Sequence, residues 1–254
     1  MKIVVLGGTG LIGSRVVRIL KEKGHDVLAA GAGTVDLMTG RGLREALKGA
    51  RVVVDLTNSP SFEDAAVMNF FKTSARNLFP VETAAGVQHH VALSIVGADR
   101  MGNIGYMRAK VAQEEAIRAA DIPYTIVRAT QFFEFIGGLA DAATEGKTVR
   151  LSNVLMQPLA ADDVAGTVAK VALEGPRNGY VNVAGPERRP LDDLARELLK
   201  AKNDPRQVVT DPTLVYFGGQ VPADALYPEH ADMLGTVRFS DWLAHSLAET
   251  VQSR

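Results

Sequence analysis

The chain has 254 residues, of which 46% are hydrophobic and 22% charged, with a formal net charge of −1 and no cysteine. This composition is typical of a globular α/β protein. It excludes disulfides, thiolate metal sites and a cysteine nucleophile, and it argues against a surface that coats nucleic acid. The first residues lack the pattern of a secretory signal, and no run approaches the roughly 20 apolar residues of a membrane span. We therefore expect a soluble, cytoplasmic protein.

Short apolar runs alternate with helical patterns through the first half of the chain. The pattern predicts strands at 3–6, 25–30, 51–56, 90–95 and 124–127. It predicts helices at 11–23, 43–47, 62–85 and 110–120. Strands that alternate with helices over short connections form parallel sheets with helices on both faces. The expected fold class is therefore α/β, a Rossmann-type doubly wound parallel sheet.

The pattern is less regular after residue 130. Helices are predicted at 162–173, 191–200 and 241–251, and prolines and glycines interrupt the segment between the last two. We therefore predict a Rossmann domain over 1–130. A smaller C-terminal substrate-binding lobe over 131–254 is interleaved with this core and lies over the carboxyl ends of the strands, where open α/β sheets bind ligands.

Three glycines with the spacing Gly-x-x-Gly-x-x-Gly directly follow the first strand, at Gly7, Gly10 and Gly13. Glycine allows the tight turn and the close approach of a pyrophosphate to the backbone. The helix that follows presents free N–H groups to the phosphates. This context, a strand before the turn and a helix after it, predicts a dinucleotide site.

The choice of dinucleotide depends on the end of the second strand. An acid that would bind the ribose hydroxyls of NAD is missing from residues 29–34. Arg15, just beyond the glycine turn, could reach a 2′-phosphate, so we expect NADP(H) rather than NAD(H). Arg15 as a solvated helix residue is nearly as good an interpretation, and Asp36 on the ribose hydroxyls would instead favour NAD(H).

Tyr106 and Lys110 are four residues apart and would share one face of a helix. A tyrosine acts as a general acid when a nearby cation draws its pKa down from about 10. Lys110 would provide that cation and would also hold the nicotinamide ribose. Ser94, at the end of the preceding strand, would hold a substrate oxygen. Taken by spacing alone, such a pair is more commonly a solvated helix face.

These motifs, in this order, resemble the short-chain dehydrogenase/reductase (SDR) superfamily, and within it the atypical, NmrA-like branch. Further matching segments are 52–58, 93–97, 126–132 and 157–165. The resemblance implies a catalytic group of Ser94, Tyr106 and Lys110. It also implies that 162–163 begin a helix, with an acid as its N-cap, that ties the lobe to the sheet. It is compatible with a homo-oligomer, since superfamily members are monomers, dimers and tetramers.

The resemblance also assigns ligand contacts. The pyrophosphate would lie on the turn formed by Gly7, Thr9, Gly10, Leu11, Ile12 and Gly13. The adenosine would contact Asp36, Leu37, Leu56, Thr57 and Asn58. The nicotinamide would lie near Thr130, Gln131 and Phe132. Independently of the resemblance, Phe135 is a candidate for the substrate wall as well as for the core, and Gln157 could face the substrate, although it fits a strand-end hydrogen bond equally well. We expect no metal site, because His89 and His90 are neighbours in a strand and point to opposite faces.

The predicted activity is hydride transfer between a nicotinamide and a carbonyl, quinone or activated double bond. Phe132, Phe135, Met156 and Tyr216 suggest a small apolar or aromatic substrate. Two alternatives stay open at this point. The first is a non-catalytic redox sensor that binds NAD(P)(H) and regulates a partner. The second is an isomerase or oxygenase-type enzyme on the same fold.

Overall fold

The computed structural model describes residues 1–212, 216 and 219–252. The strands are β1 (Lys2–Leu6), β2 (Asp26–Ala30), β3 (Val52–Asp55), β4 (His89–Ile95), β5 (Tyr124–Ala129), β6 (Thr144–Glu145), β7 (Thr148–Leu151), β8 (Leu155–Met156), β9 (Gly179–Ala184), β10 (Arg189–Pro190), β11 (Gln207–Thr210) and β12 (Met233–Leu234). The helices are α1 (Leu11–Glu22), α2 (Leu43–Leu47), α3 (Asp64–Ala85), α4 (Gly105–Ala119), α5 (Ile136–Ala142), α6 (Ala161–Leu173), α7 (Leu191–Ala201) and α8 (Phe239–Gln252).

Within the described residues, seven parallel strands form the central sheet in the order β12-β9-β5-β4-β3-β1-β2. The chain leaves β1 towards β2 and then returns to place β3 on the other side of β1. Such a reversal opens a crevice at the carboxyl ends of the two strands, and ligands of doubly wound sheets bind there. The predicted fold class is confirmed.

Both faces of the sheet are covered, which explains why its strands are continuous apolar runs. Successive side chains of a strand point to opposite faces. Ile3 and Val5 therefore pack in one core with residues of α1 and α6. Val4 and Leu6 pack in a second core with residues of α2 and α3.

Helix α4 begins at Gly105, five residues before the predicted start at Lys110. The residue before it is Ile104, whose side chain makes no capping hydrogen bond, so the sequence carries no N-cap signal there. The correction matters because it places Tyr106 and Lys110 on one helix. In the same way, β5 continues to Ala129 and reaches the edge of the ligand crevice.

Residues 131–254 contribute to the central sheet as well as to the lobe. Strands β9 and β12 extend the sheet beyond β5, and α6 packs against α1. The remaining elements form a separate apolar core that includes residues of α5, α7 and α8. No helix of the described residues is long and apolar enough to cross a membrane.

The predicted acidic N-cap of α6 is wrong. The helix begins at Ala161, and its N-cap position is held by Ala160, which has no capping side chain. The carboxylate of Glu134, distant in sequence, accepts the N–H of Ala161 at 3.1 Å instead. Asp163 accepts the backbone N–H of Val237 at 3.1 Å and so ties α6 to the C-terminal segment.

Candidate functional site

A cavity of about 870 Å³ lies at the carboxyl ends of β1 to β5. Its volume is within the range of small-molecule and cofactor sites. Most of the residues selected from the sequence line it: Gly7, Thr9, Gly10, Leu11, Ile12, Gly13, Asp36, Leu37, Leu56, Thr57, Asn58, Ser94, Tyr106, Lys110, Thr130, Gln131, Phe132 and Phe135. Arg15 and Gln157 are not among its lining residues.

The glycine turn leaves room that side chains would fill. Gly7 has a φ of +73°, and a Cβ atom there would lie 2.7 Å from the carbonyl oxygen of Leu56. A Cβ atom on Gly13 would overlap the carbonyl oxygen of Gly7. Gly10 stands directly before the first turn of α1, so free N–H groups of the helix face the cavity. These residues fit the pyrophosphate of a dinucleotide.

Asp36 lies at the end of the cavity next to β2. Its Oδ1 atom accepts the backbone N–H of Met38 at 2.8 Å and that of Thr39 at 3.3 Å. Hydrogen bonds from Thr39 and Met38 hold the pKa of this carboxyl below its usual range. The side chain of Asn77 on α3 donates to the carbonyls of Leu37 and Met38 and fixes this loop.

The structure does not bring Arg15 to the cavity. Its Nε atom donates to Asp162 at 3.1 Å, and its Nη1 atom donates to the Leu11 carbonyl at 2.8 Å. A different arginine lies at the end of β2, where Arg41 Nη2 is 3.4 Å from the carbonyl oxygen of Ala32, a residue of the cavity wall. The sequence carries a signal for Arg41, a basic residue in the loop after the second strand.

The hydroxyl of Tyr106 faces the loop after β3 and donates to Asn58 Oδ1 at 3.0 Å. Burial raises the pKa of Tyr106 to about 12, and the hydrogen bond to Asn58 opposes this only in part. The sequence predicts that Lys110 lowers the pKa of Tyr106, but Lys110 is not among the groups that shift it. Tyr106 is therefore a neutral phenol, which can give a proton but is not prepared to take one at neutral pH.

Lys110 is only 4% exposed and lines the cavity. Its ammonium donates to the carbonyl of Leu93 at 2.8 Å and to Oε1 of Gln113. An ammonium has three N–H donors, so one is left for a ligand. Burial lowers the pKa of Lys110 to about 8, while the negative charges of Asp55 and Glu114 oppose that shift.

Ser94 lines the cavity, but its proton is directed into the protein. The hydroxyl donates to Glu114 Oε1 at 2.6 Å, and the Arg128 guanidinium binds both oxygens of the same carboxylate at 2.9 and 2.5 Å. A carboxylate only accepts hydrogen bonds. Ser94 therefore faces the cavity as an acceptor, and in this arrangement it does not donate to a substrate carbonyl as expected.

Aromatic side chains form the outer wall of the cavity. Phe132 and Phe135 stack with ring centroids 5.4 Å apart, and Phe62 contacts Tyr106 at 5.5 Å. Phe62 and Phe135 are 61% and 52% exposed, which is unusual for phenylalanine. Phe62 is not identified from the sequence, because it belongs to no motif and its position at the start of the predicted helix over 62–85 gives no sign that it lines the cavity; the helix begins only at Asp64. This end of the cavity is apolar and open to a flat ligand.

Gln157 is not among the residues that line the cavity, and both ends of its amide are hydrogen-bonded to other parts of the protein. Its Nε2 atom donates to the Gly185 carbonyl at 2.7 Å, and its Oε1 atom accepts Arg188 Nε at 3.0 Å. Its backbone carbonyl accepts the hydroxyl of Thr130 at 2.6 Å. The structure thus favours the strand-end hydrogen bond over the substrate contact.

The two adjacent histidines of β4 make separate buried hydrogen bonds. His89 Nε2 lies 2.9 Å from the hydroxyl of Thr125, and His90 Nδ1 lies 2.9 Å from Glu82 Oε1. Across the part of the chain that the structure describes, no group of three or more histidine, aspartate or glutamate side chains is placed to hold a metal ion.

Residues 7–174 match the family model described as NAD(P)H-binding. The Ycf39 photosystem II assembly factor of Cyanophora paradoxa is 27% identical over 165 residues, which are 59% of this chain and 51% of that protein. The chloroplastic divinyl chlorophyllide a 8-vinyl-reductase of Oryza sativa subsp. indica is 27% identical over 220 residues, 72% of this chain and 54% of that one. The chain thus spans about half the length of these curated relatives.

Solved structures share the fold over almost the whole chain. A dTDP-4-dehydrorhamnose reductase of Clostridium acetobutylicum superposes with a TM-score of 0.75 at 16% identity, covering 98% of this chain and 100% of that one. The quinone oxidoreductase QOR2 of Escherichia coli complexed with NADPH gives a TM-score of 0.69 at 21% identity, covering 96% and 99%. The matches do not single out the NmrA-like branch. The chain belongs to the NAD(P)H-binding family and has the fold of the atypical SDR reductases.

Proposed function

We propose that this protein is an NAD(P)H-dependent reductase of a small apolar or aromatic carbonyl, quinone or activated double bond. The observation that carries the proposal is the single cavity that joins the glycine turn to Tyr106 and Lys110 and to the wall formed by Phe132 and Phe135. A dinucleotide whose pyrophosphate lies on the turn would direct its nicotinamide towards this polar pair. An apolar substrate would then lie against the exposed aromatic rings.

The bound dinucleotide supplies the hydride, and the protein supplies binding, orientation and the proton. Lys110 offers its third N–H to the nicotinamide ribose. Tyr106, a neutral phenol, would exchange its hydrogen bond to Asn58 for one to the substrate oxygen and give that oxygen its proton, which solvent would later restore. Because burial raises the pKa of Tyr106, the phenol is in the protonated form that a general acid needs for reduction.

For the cofactor we propose NADP(H) over NAD(H), with Arg41 in the role that the sequence assigned to Arg15. The guanidinium of Arg41 reaches the carbonyl of Ala32 at the cavity rim, beside the end of β2. Residues 29–34, where an NAD site is expected to have its carboxylate, contain no acid. Asp36 already accepts two backbone N–H groups, which supports a role in shaping the loop more than in binding the ribose.

A second candidate is a non-catalytic protein that binds NAD(P)(H) and regulates or assists a partner. The hydrogen bonds of Lys110 and Ser94 favour it, because both side chains are bonded to protein groups and neither is hydrogen-bonded to Tyr106. The relatives that are named assembly factors are compatible with it. The two candidates differ in whether NAD(P)H is consumed.

The experiment is NADPH oxidation by the full chain with a panel of quinones, aromatic aldehydes and triarylmethane dyes. With the quinone and aldehyde acceptors, which take up a proton on oxygen, we expect Tyr106→Phe to lower kcat by about 10²–10⁴-fold, the usual contribution of a general acid, with little change in NADPH affinity. Tyr124→Phe, on β5, is the matched control and should retain activity. Tight NADPH binding without oxidation of any acceptor would support the regulator, and isomerised product without NADPH consumption would support the isomerase alternative.

A further inference from the structure

A chain of buried polar groups leads from Lys110 away from the cavity. The ammonium donates to Gln113 Oε1, and Gln113 Nε2 donates to Asp55 Oδ2 at 3.0 Å. All three side chains are less than a tenth exposed. A glutamine amide has one accepting and one donating end, so only one orientation of Gln113 satisfies both neighbours. The amide therefore connects the Lys110 ammonium to the Asp55 carboxylate, although these two groups form no direct ion pair.

The same chain continues to the loop after β3. Asp55 Oδ1 accepts the backbone N–H of Thr57 at 3.0 Å and its hydroxyl at 2.6 Å. The next residue, Asn58, accepts the hydroxyl of Tyr106. Lys110 and Tyr106, both on α4, are thus tied to one loop that lines the cavity. Movement of this loop would change the position of both side chains.

The charged and titratable groups around Lys110 come from several elements. They are Asp55 on β3, Glu114 and Tyr106 on α4, and Arg128 on β5, which binds Glu114. Asp55 also interacts with His90 on β4, and the ring of Phe71 on α3 lies 4.7 Å from the ammonium. A buried ammonium is stable only when hydrogen bonds and opposite charge compensate its lost hydration. Since Arg128 already pairs with Glu114, Asp55 is the available counter-charge, and Gln113 is the group that connects Lys110 to it.

We propose that Gln113 is a positioning residue that couples the Lys110 ammonium to the Asp55 carboxylate and so keeps Lys110 charged and directed at the cofactor. The proposal rests on the placement of Lys110 beside bound cofactor, and it does not require turnover. Lys110, with a pKa of about 8, loses its proton slightly above neutral pH. The bridge through Gln113 sets the upper end of the pH range over which Lys110 binds the cofactor as a cation.

The test is the pH dependence of NADPH affinity, measured by fluorescence titration of the full chain. In the unmodified protein, affinity should fall as the pH rises through about 8. Gln113→Leu removes the bridge, so the fall should move to lower pH. The double variant Q113E/D55N places the carboxylate directly against the ammonium, so the fall should move to higher pH. Each shift should be roughly 1 unit, the lower end of the effect of an opposite charge close to a titrating group.

Two controls separate this role from a purely structural one. Ser74→Ala, a buried polar change on α3 outside the chain of groups, should leave the pH midpoint in place. Lys110→Met should abolish the pH dependence over this range. If Gln113→Leu fails to fold, the double variant still gives the test, since its shift is upward.

The proposal is overturned if folded variants lose thermal stability without any movement of the midpoint, or if both move it in the same direction. Failure of the reductase proposal has a different signature. In that case NADPH binds with the predicted pH dependence but no acceptor is reduced.

Discussion

Arg15 and Arg41 both lie near the glycine turn, but their guanidinium groups contact different parts of the molecule. Arg15 binds Asp162 and links α1 to α6, whereas Arg41 reaches the rim of the cavity at Ala32. Sequence spacing alone cannot distinguish them, because each is a basic residue close to the expected adenosine. The difference arises from Asp162, a partner 147 positions away in the chain from Arg15.

Replacement of these two arginines by alanine tests the cofactor proposal. Arg41→Ala should weaken NADPH binding by about 10–100-fold, since a hydrogen bond to a charged group contributes about 1.5–3 kcal/mol. NADH affinity should stay within about twofold, because NADH lacks the 2′-phosphate. Arg15→Ala is the control and should lower stability more than it lowers selectivity. Equal losses for NADPH and NADH in Arg41→Ala would contradict the assignment.

The two buried histidines of β4 respond to pH in opposite directions. Burial lowers the pKa of His89 to about 4. Burial also opposes protonation of His90, but the charge and hydrogen bond of Glu82 outweigh it and raise the pKa of His90. His89 thus stabilises the fold above pH 6.5 and destabilises it as the pH falls from 6.5 towards 4. The stabilisation from His90 is complete below pH 6.5 and is lost as the pH rises.

A non-titrating replacement of His89 should reduce the acid sensitivity of the fold. In His89→Gln, the loss of unfolding free energy between pH 7 and pH 5 should be about 1–2 kcal/mol smaller than in the unmodified protein. Urea unfolding at the two pH values measures it, with the exposed His230→Gln as the control. An unchanged or larger acid loss would show that His89 is not the buried neutral group.

At the level of elements, β1 and α1 could be predicted almost to the residue. Their signals are local, a continuous apolar run followed by glycines and a helical stripe. The early start of α4 could not be predicted, because Gly105 and Tyr106 are weak helix formers and no cap signal precedes them. The cap of α6 could not either, since Glu134 reaches it only after the chain has folded.

The close packing of α1 on the glycine turn can be tested by adding a methyl group where the two meet. Gly13→Ala places a methyl group against the Gly7 carbonyl, so the helix must shift away from the pyrophosphate site. We expect NAD(P)H affinity to fall by more than about tenfold. Gly166→Ala in α6 is the matched control, because no atom lies within 4 Å of the added carbon. It should leave binding unchanged and stabilise the helix by up to about 1 kcal/mol.

For the whole molecule, the sequence predicts the doubly wound sheet and most of the cavity wall. It does not predict how the second half is divided between sheet and lobe. Strand β9 pairs with β5 across about fifty intervening residues, and short runs such as Met233–Leu234 carry no strand signal of their own. The sequence also does not predict the direction in which a hydroxyl donates its hydrogen bond, as Ser94, which donates to Glu114 inside the protein, shows. Both features depend on contacts that only the folded chain creates.

We propose above all that NADPH binds in the cavity with its nicotinamide beside Tyr106 and that its hydride passes to a substrate. The most direct measurement is the rate of NADPH oxidation with deuterium at either face of nicotinamide C4, using an acceptor reduced in the panel. A fixed geometry predicts a primary isotope effect for one stereoisomer only, and transfer of the label to product carbon when the acceptor is a carbonyl or a triarylmethane dye. Saturable NADPH binding with no oxidation, or equal isotope effects for both faces, would contradict the account.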